Sequence, residues 1–594
     1  MFVRVKSTPN SPRKSVQIVH SERIDGKVKQ KIIKHVGIAY DENELEELKL
    51  YAESLKAKLE AEGQLPLYSV EEIEALAQKA YKEKKEESEE SKKEERSNKE
   101  SDKVDRCDYE VNLLDMLEED RVIKGIHDVY GELYREMGFQ KLLANSSANK
   151  TSIKVLKEIV LARVANPESK MATVEMLEEK FGVNLNLKQV YRMMDKLDDK
   201  HIKKLGKLVL NQTRTLLNNT IDVIYFDATT LYFESFSEDE GEEAIKKNGY
   251  SKDGKFNQPQ VVLALLVTKQ GLPIGYKAFE GDTFDGHTLI PSLQEIKEEF
   301  NVDKIVYVAD SGMFNTKNLE AFDNHANMSY IVGARVKNMN KSIKEQILQM
   351  DDYQSINDDI KVKTIPMDDK GKKLLVSYSE KRAKKDKYER EKAIVKLKAK
   401  LEKSSSVKSQ LSNQGYKKYL LLEPAHQEEN TNTSNTTSCD ISIVLNEKKI
   451  KEDAAWDGIK GIMTNNSTLS NEELIHQYAN LWQVEESFRI TKHDLKIRPI
   501  YHWKPHRIRA HLAISFMAYS LVRHLEYRVK LLYKKLSPQR IRTALLGVQA
   551  SILYDTKTNR KFAFPSKISD DAKRIYKVMG VSPQTKPYIL GNIK

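Results

Sequence analysis

At 594 residues the chain is too long for one hydrophobic core and must divide into several domains. Its two cysteines, Cys107 and Cys439, exclude a disulfide framework or a cysteine zinc site and fit a reducing cytoplasm. No apolar run reaches the length of a membrane span or a signal-peptide core. The net charge of +11 is unevenly placed, because residues 486–594 hold 23 Lys and Arg against 6 Asp and Glu, a net +17, and the first 485 residues therefore sum to −6. A block of that size points to a polyanionic partner.

Residues 1–40 carry nine Lys and Arg against Glu22 and Asp25. Segments 15–19 and 31–36 alternate as strands do, and 43–81 has helical periodicity, so 1–81 reads as a basic N-terminal module. Residues 82–107 are nearly all Lys, Glu, Ser and Asp, too polar to build a core, and read as a charged linker. Across 108–218 the pattern is helical, with segments at 153–164, 171–181 and 187–197. The short turn 182–186 allows a helix-turn-helix that would place the third segment in a major groove, and ordinary helix packing accounts for the same spacing.

Residues 219–336 read as the first part of an α/β core. An apolar run at 221–226 predicts a buried strand that ends at the turn formers Asp227-Ala228-Thr229-Thr230. Strands follow at 261–267 and 273–281 around a Lys269-Gln270-Gly271 turn, then a helix at 288–300. A fourth strand at 305–309 ends at Asp310-Ser311-Gly312, and a fifth spans 329–336. If the first and fourth strands are neighbours, Asp227 and Asp310 emerge together at their carboxyl ends, where open α/β sheets place ligands. Aspartate in such a context is also a common turn former or helix N-cap. Gly249 to Lys255 mimics a phosphate-binding loop, but Phe256 replaces the hydroxyl that would bind magnesium and a strand follows, so a nucleotide site is rejected.

Residues 337–465 are heterogeneous and read as an insertion, with a charged helix at 379–403, strand-like runs at 418–422 and 441–444, and a polar tract at 430–438. The segment from Trp456 to Asn465 returns the chain to the core, whose second part is 466–530. It carries a basic, aromatic loop at 498–503 and an amphipathic helix at 508–530, and a basic C-terminal region follows at 531–594.

Tyr478, Glu485 and Lys492 are seven residues apart, so on one helix they would share a face. A phenol, a carboxylate and an ammonium suit a surface gripping phosphate and metal better than a packing face. With Asp227 and Asp310, these residues make the chain resemble the DDE transposases of bacterial insertion sequences, in the insertion-sequence-four group with a Tyr-x2-Arg-x3-Glu-x6-Lys signature. One position departs, since Leu481 stands where that signature has Arg, and Arg489, one turn beyond Glu485, is the candidate to replace it.

The resemblance implies a ribonuclease H-like core, a mixed five-stranded sheet with helices, interrupted by an insertion domain and preceded by a helical DNA-binding region. Asp227, Asp310 and Glu485 would hold two Mg2+ (or Mn2+) ions roughly 3.5 to 4 Å apart. Tyr478, Lys492 and Arg489 would position phosphate, and Lys252 and Arg498 would touch DNA. Trp456 would stack a base flipped from the element end, with packing against the core as the alternative. The implied activity is cleavage at insertion-sequence ends and strand transfer into target DNA, by a homodimer in the prokaryotic cytoplasm, on the nucleoid. A metal-dependent nuclease that does not join, and a non-catalytic DNA-binding derivative, are the competing readings; a glycosidase gains little support from the basic block.

Overall fold

The computed structural model describes residues 2–7, 14–24, 27–39, scattered positions within 45–56, 111–143, 149–218, 221–241, 243–250, 254, 257–292, 305–312, 316–323, 328–369, 371–401, 418–424, 441–533 and 535–590. The linker 82–107, both cysteines and the polar tract 430–438 lie outside them. The chain forms two compact units, Met1–Thr213 with Arg489–Lys594, and Arg214–Phe488. Among the described residues no helix is long and apolar enough to cross a membrane.

The first unit opens with an antiparallel sheet of β1 (Phe2–Ser7), β2 (Lys14–Ile24) and β3 (Lys27–Ala39). Alternation puts Val16 and Ile18 on one face, where they pack with Leu45, Ala52 and Leu55. After β4 (Met116–Ile123) come α1 (Lys150–Ala165), α2 (Lys170–Phe181), α3 (Leu187–Met194) and α4 (Asp199–Leu216). The turn between α2 and α3 is fixed at both ends. Gly182 takes the left-handed conformation that closes α2, and Asn186 with Gln189 forms a capping box that opens α3. Both helices pack on α1.

The second unit is built on one mixed sheet. In chain order its elements are β5 (Val223–Tyr232), β6 (Gln260–Thr268), β7 (Pro273–Glu280), β8 (Ile305–Ala309), α5 (Thr316–Asp323), β9 (Met328–Ala334), α6 (Lys341–Leu348), β10 (Gln354–Ser355), β11 (Ile360–Pro366), β12 (Lys373–Ser379), α7 (Glu380–Leu401), β13 (Leu420–Pro424), β14 (Ile441–Leu445), α8 (Glu447–Ala454), β15 (Ile459–Thr464), α9 (Asn471–Ala479) and α10 (Trp482–Arg489). The order β10-β11-β12-β15-β9-β8-β5-β6-β7 brings β5 and β8 together as parallel neighbours. Four strands from 337–465 extend the sheet beyond the five expected, because β15 pairs with β9 and β12 with β15. The short pair β13-β14 stands apart from it.

Two local expectations are corrected. β5 does not stop at Asp227: it continues to Tyr232, with Thr229 opposite Leu263 and Thr230 opposite Val262. Two threonines whose β-branched side chains suit a pleated strand outweigh the turn tendency of the aspartate before them. Residues 478–492 are not one regular helix either. α9 ends at Ala479, and i→i+3 bonds from Leu481 to Tyr478, Gln483 to Asn480 and Val484 to Leu481 tighten the chain before α10. A π-helical turn, Ile490–Asp494, follows.

The remainder of the first unit contains α11 (Pro505–Leu532), α12 (Pro538–Leu546), β16 (Gln549–Asp555), β17 (Arg560–Pro565), α13 (Asp570–Met579) and β18 (Tyr588–Leu590). Expected to be amphipathic, α11 is buried on nearly every face, and some of its polar residues are satisfied locally. Ser515 and Ser520 donate to the carbonyls of His511 and Phe516, each at 2.8 Å, and Arg523 pairs with Glu526 at 2.5 Å. Residues beyond 531 fold back, with β16 between β4 and β17 in an antiparallel sheet of order β18-β17-β16-β4. Several basic groups there meet acids near β4, including Lys557 with Asp115 and Lys561 with Glu119.

Candidate active site

Strand register places the two aspartates. Phe226 aligns with Ala309 across the parallel pair β5 and β8, and Ala309 with Val332 of β9. One residue further, Asp227, Asp310 and Gly333 fall in the same row. Adjacent strands are about 4.8 Å apart, so the two carboxylates project as neighbours from one sheet face. That face is covered by α9: two residues before Asp227, the hydroxyl of Tyr225 lies 2.8 Å from Gln477 Oε1 and 3.1 Å from the Gln477 carbonyl.

Tyr478, next on α9, reaches over Gly333. A Cβ at position 333 would collide with the Tyr478 hydroxyl and come within 3.2 Å of its Cζ, so glycine is what admits the ring. The hydroxyl faces Asp310 and interacts with its carboxylate. Burial, then the Asp310 charge, pushes the phenol up to about 12, with Glu485 acting in the same sense and Arg382 against it. Tyr478 is thus the group that senses both Asp310 and Glu485, the exposed carboxylate in the first turn of α10. Asp227 is half-buried, and its Oδ1 accepts from the Ala228 N–H at 2.8 Å.

Two cations near this row escaped the sequence reading. Lys460 on β15 is held below its ordinary value by burial and then by Arg382, while Asp386 and Asp310 oppose that shift. Arg382 lies in the first turn of α7, its Nε 3.5 Å from Asp386. No spacing rule links these positions to the Tyr-Glu-Lys series; sheet pairing of β12 with β15, and of β15 with β9, carries them there.

Arg489 and Lys492 belong to the first unit, where Arg489 is 3.5 Å from Asp494 and Lys492 sits in the π-helical turn. Arg498 lines a cavity in that unit. Trp456 packs against a cluster that includes Val336, Leu374 and Ile459. Its turn is pinned by Arg390, which donates to Asp457 Oδ2 at 2.6 Å, and by the Gly458 N–H to Asp386 at 3.0 Å. Lys252 lies outside the described residues.

The donor set suits a hard divalent cation, since Asp227 and Asp310 offer oxygen ligands side by side and Glu485 acts on the same phenol as Asp310. Among the described residues, no three His, Cys, Asp or Glu side chains are already gathered into a cage.

Residues 2–65 match the model described as the IS1634 family transposase, N-terminal domain, over the β1-β2-β3 sheet and the segment that packs on it. No curated protein matches the chain. Residues 218–521, just over half of the chain and including all of the carboxylate row, match the model described as the transposase DDE domain. The chain belongs to this family, the DDE transposases of bacterial insertion sequences, and is of the IS1634 type.

Proposed function

We propose that the protein cleaves DNA strands at the ends of an insertion sequence and joins the 3′ ends to target DNA, using Asp227, Asp310 and Glu485 to hold divalent ions, Mg2+ or Mn2+. The observation that carries this reading is the row Asp227-Asp310-Gly333, with the Tyr478 hydroxyl over Gly333 and beside Asp310. When bound, such ions stabilise charge on the attacking and leaving oxygens. The five strands β7-β6-β5-β8-β9, three antiparallel and the last two parallel to β5, support a ribonuclease H-like core, with 337–465 as an insertion that lengthens its sheet. Helices α2 and α3 support end binding by 108–218, in a homodimer acting on the nucleoid.

The chain's own groups have separable tasks. Tyr478 sets its hydroxyl beside the Asp310 carboxylate, and the part-buried Tyr225–Gln477 contact holds α9 over the row. Arg382 supplies positive charge beside it, as Leu481 cannot. Lys492, Arg489 and Arg498 offer cations to the DNA backbone, and Lys252 is assigned to the same task.

The test is incubation of purified protein with candidate end DNA and Mg2+, with nicked, hairpin and joined products resolved. Asp227→Asn, Asp310→Asn and Glu485→Gln should each abolish cleavage while leaving end binding largely intact, because affinity comes mainly from Lys and Arg. Cleavage like that of the unaltered protein in any one of them removes that residue from the ligand set. Cleavage without joined products would make the protein a nuclease.

A further inference from the structure

The first unit contains a cavity of about 780 Å³ whose ionisable lining is mostly basic, with Arg163, Lys170, Lys496, Arg498, His502 and His511 set among prolines, tyrosines and Met171. Glu168 is the one carboxylate among its described lining residues; it is exposed and accepts from Asn166 Nδ2 at 2.9 Å. Arg163, Lys170 and His511 are only 5%, 6% and 3% exposed. Groups of this kind are rarely buried without a counter-charge, because desolvation penalises the ion severely. Among the described residues no ion pair reaches Lys170. Desolvation followed by Arg163 holds its ammonium well below the ordinary value, with no carboxylate opposing.

The walls are rigidly held. Arg163 Nη1 donates to the carbonyls of Leu495 and Lys496, both at 3.0 Å, and Lys496 takes a left-handed backbone conformation (φ 43°). His511 Nε2 is 2.9 Å from the Ile497 carbonyl. Its other ring nitrogen, Nδ1, is buried without a hydrogen-bond partner in the residue's position on the cavity wall. Lys170 is also the first residue of the twelve-residue α2, so that helix presents its N-terminal partial charge to the same space.

We propose that this cavity is a binding site for a phosphate-class oxyanion, completed by Lys170, Arg163 and the free Nδ1 of His511, and that the anion it takes is a backbone phosphodiester of DNA. An anion would supply the missing counter-charge, and the space is far larger than one phosphate, which suits a phosphate carried on a polymer. Its identification with DNA rests on the transposase reading; the existence of an oxyanion site does not.

The experiment uses the full-length protein and inorganic tripolyphosphate as probe, titrated calorimetrically in two buffers of different ionisation enthalpy. Binding should be accompanied by proton uptake, because Lys170 and His511 are both held in their neutral direction by burial. Lys170→Met should abolish that binding without lowering the melting temperature, since it removes an unpaired buried charge. Arg498→Gln, on the same lining, should weaken it at least tenfold and guards against a folding defect in the first variant. Duplex DNA should displace the tripolyphosphate, and Lys170→Met should reduce the log–log salt slope of DNA binding by about 0.9. Tripolyphosphate binding that DNA does not displace would retain the oxyanion site and reject DNA as its source. A folded Lys170→Met protein with unchanged tripolyphosphate affinity and unchanged salt slope overturns the proposal.

Discussion

The hydroxyl of Tyr478 occupies the space in which a side chain at Gly333 would begin, and from there it interacts with Asp310. The glycine is required sterically, not conformationally, because its φ lies outside the left-handed region. Gly333→Ala should therefore displace the phenol while leaving β9 paired, and cleavage should fall at least about tenfold for loss of a polar group placed beside Asp310. The control is Tyr478→Phe, which removes the clashing atom. In that background Gly333→Ala should cost much less, so the two substitutions should be strongly non-additive in a double-mutant cycle. Additive losses would show that Gly333 acts elsewhere.

Much of the row was legible in the sequence because it follows from local pattern. Apolar β-branched runs with an acid at the end marked β5 and β8, and the condition left open by the sequence, that the two be neighbours, is met by their parallel pairing. What could not be read was anything set by pairing over long separations. Lys460 and Arg382 reach the row only because β12 and β15 add to β9, about 130 residues after it began. The seven-residue spacing of Tyr478, Glu485 and Lys492 was real but misassigned to one helix, since i→i+3 bonds at 481–484 and the π-helical turn both change the pitch. The basic block after 486 was visible as charge, yet its folding onto β4 was not, as pairing partners more than 400 residues apart leave no local trace.

Arg382 is the guanidinium that acts on Tyr478 and Lys460, whereas Arg489 is engaged near Asp494. If it takes over the task of the arginine replaced by Leu481, Arg382→Ala should lower cleavage at least about tenfold with end binding little changed, and Arg382→Lys should recover part of the loss. Arg489→Ala should have the smaller effect on cleavage. The reverse ranking, measured on the same end DNA, would return the task to Arg489.

Acid should weaken the first unit in a defined window. His524 is fully buried, with Nε2 3.0 Å from Thr213 Oγ1 and Nδ1 unpartnered. Burial, then Arg528 and Arg523, pushes it down to about 3, and burial beside Lys170 and Arg163 brings His502 to about 3 as well. Both rings are neutral when folded and would be protonated below about pH 6.5 when unfolded. Their contribution to stability is complete above that pH and is lost as pH falls toward about 3, by up to about 1.4 kcal/mol per unit for each ring. Chemical denaturation at a series of pH values should show this slope, and His524→Gln should flatten it by roughly one ring's share. An unchanged slope in that variant would mean that His524 is protonated in the folded state.

Trp456 separates two roles that substitution can distinguish. Its ring is half-buried against Val336, Leu374 and Ile459, and Arg390, Asp386 and Gly458 hold the turn that carries it. Stacking on a flipped base would recover about 1 to 3 kcal/mol, but only for a ring free to leave the surface it covers. Packing is favoured here, and truncating a half-buried indole should cost about 2 kcal/mol or more, toward the lower end of values for large-to-small core changes. Trp456→Ala is therefore expected to lower the melting temperature of the second unit and to slow every step together, whereas Trp456→Phe should restore most of the stability. A stacking role predicts a different pattern: normal melting and a near-normal first nick, with hairpin formation or opening slowed and partly rescued by a base analogue that unstacks easily. That second pattern would place the indole on DNA.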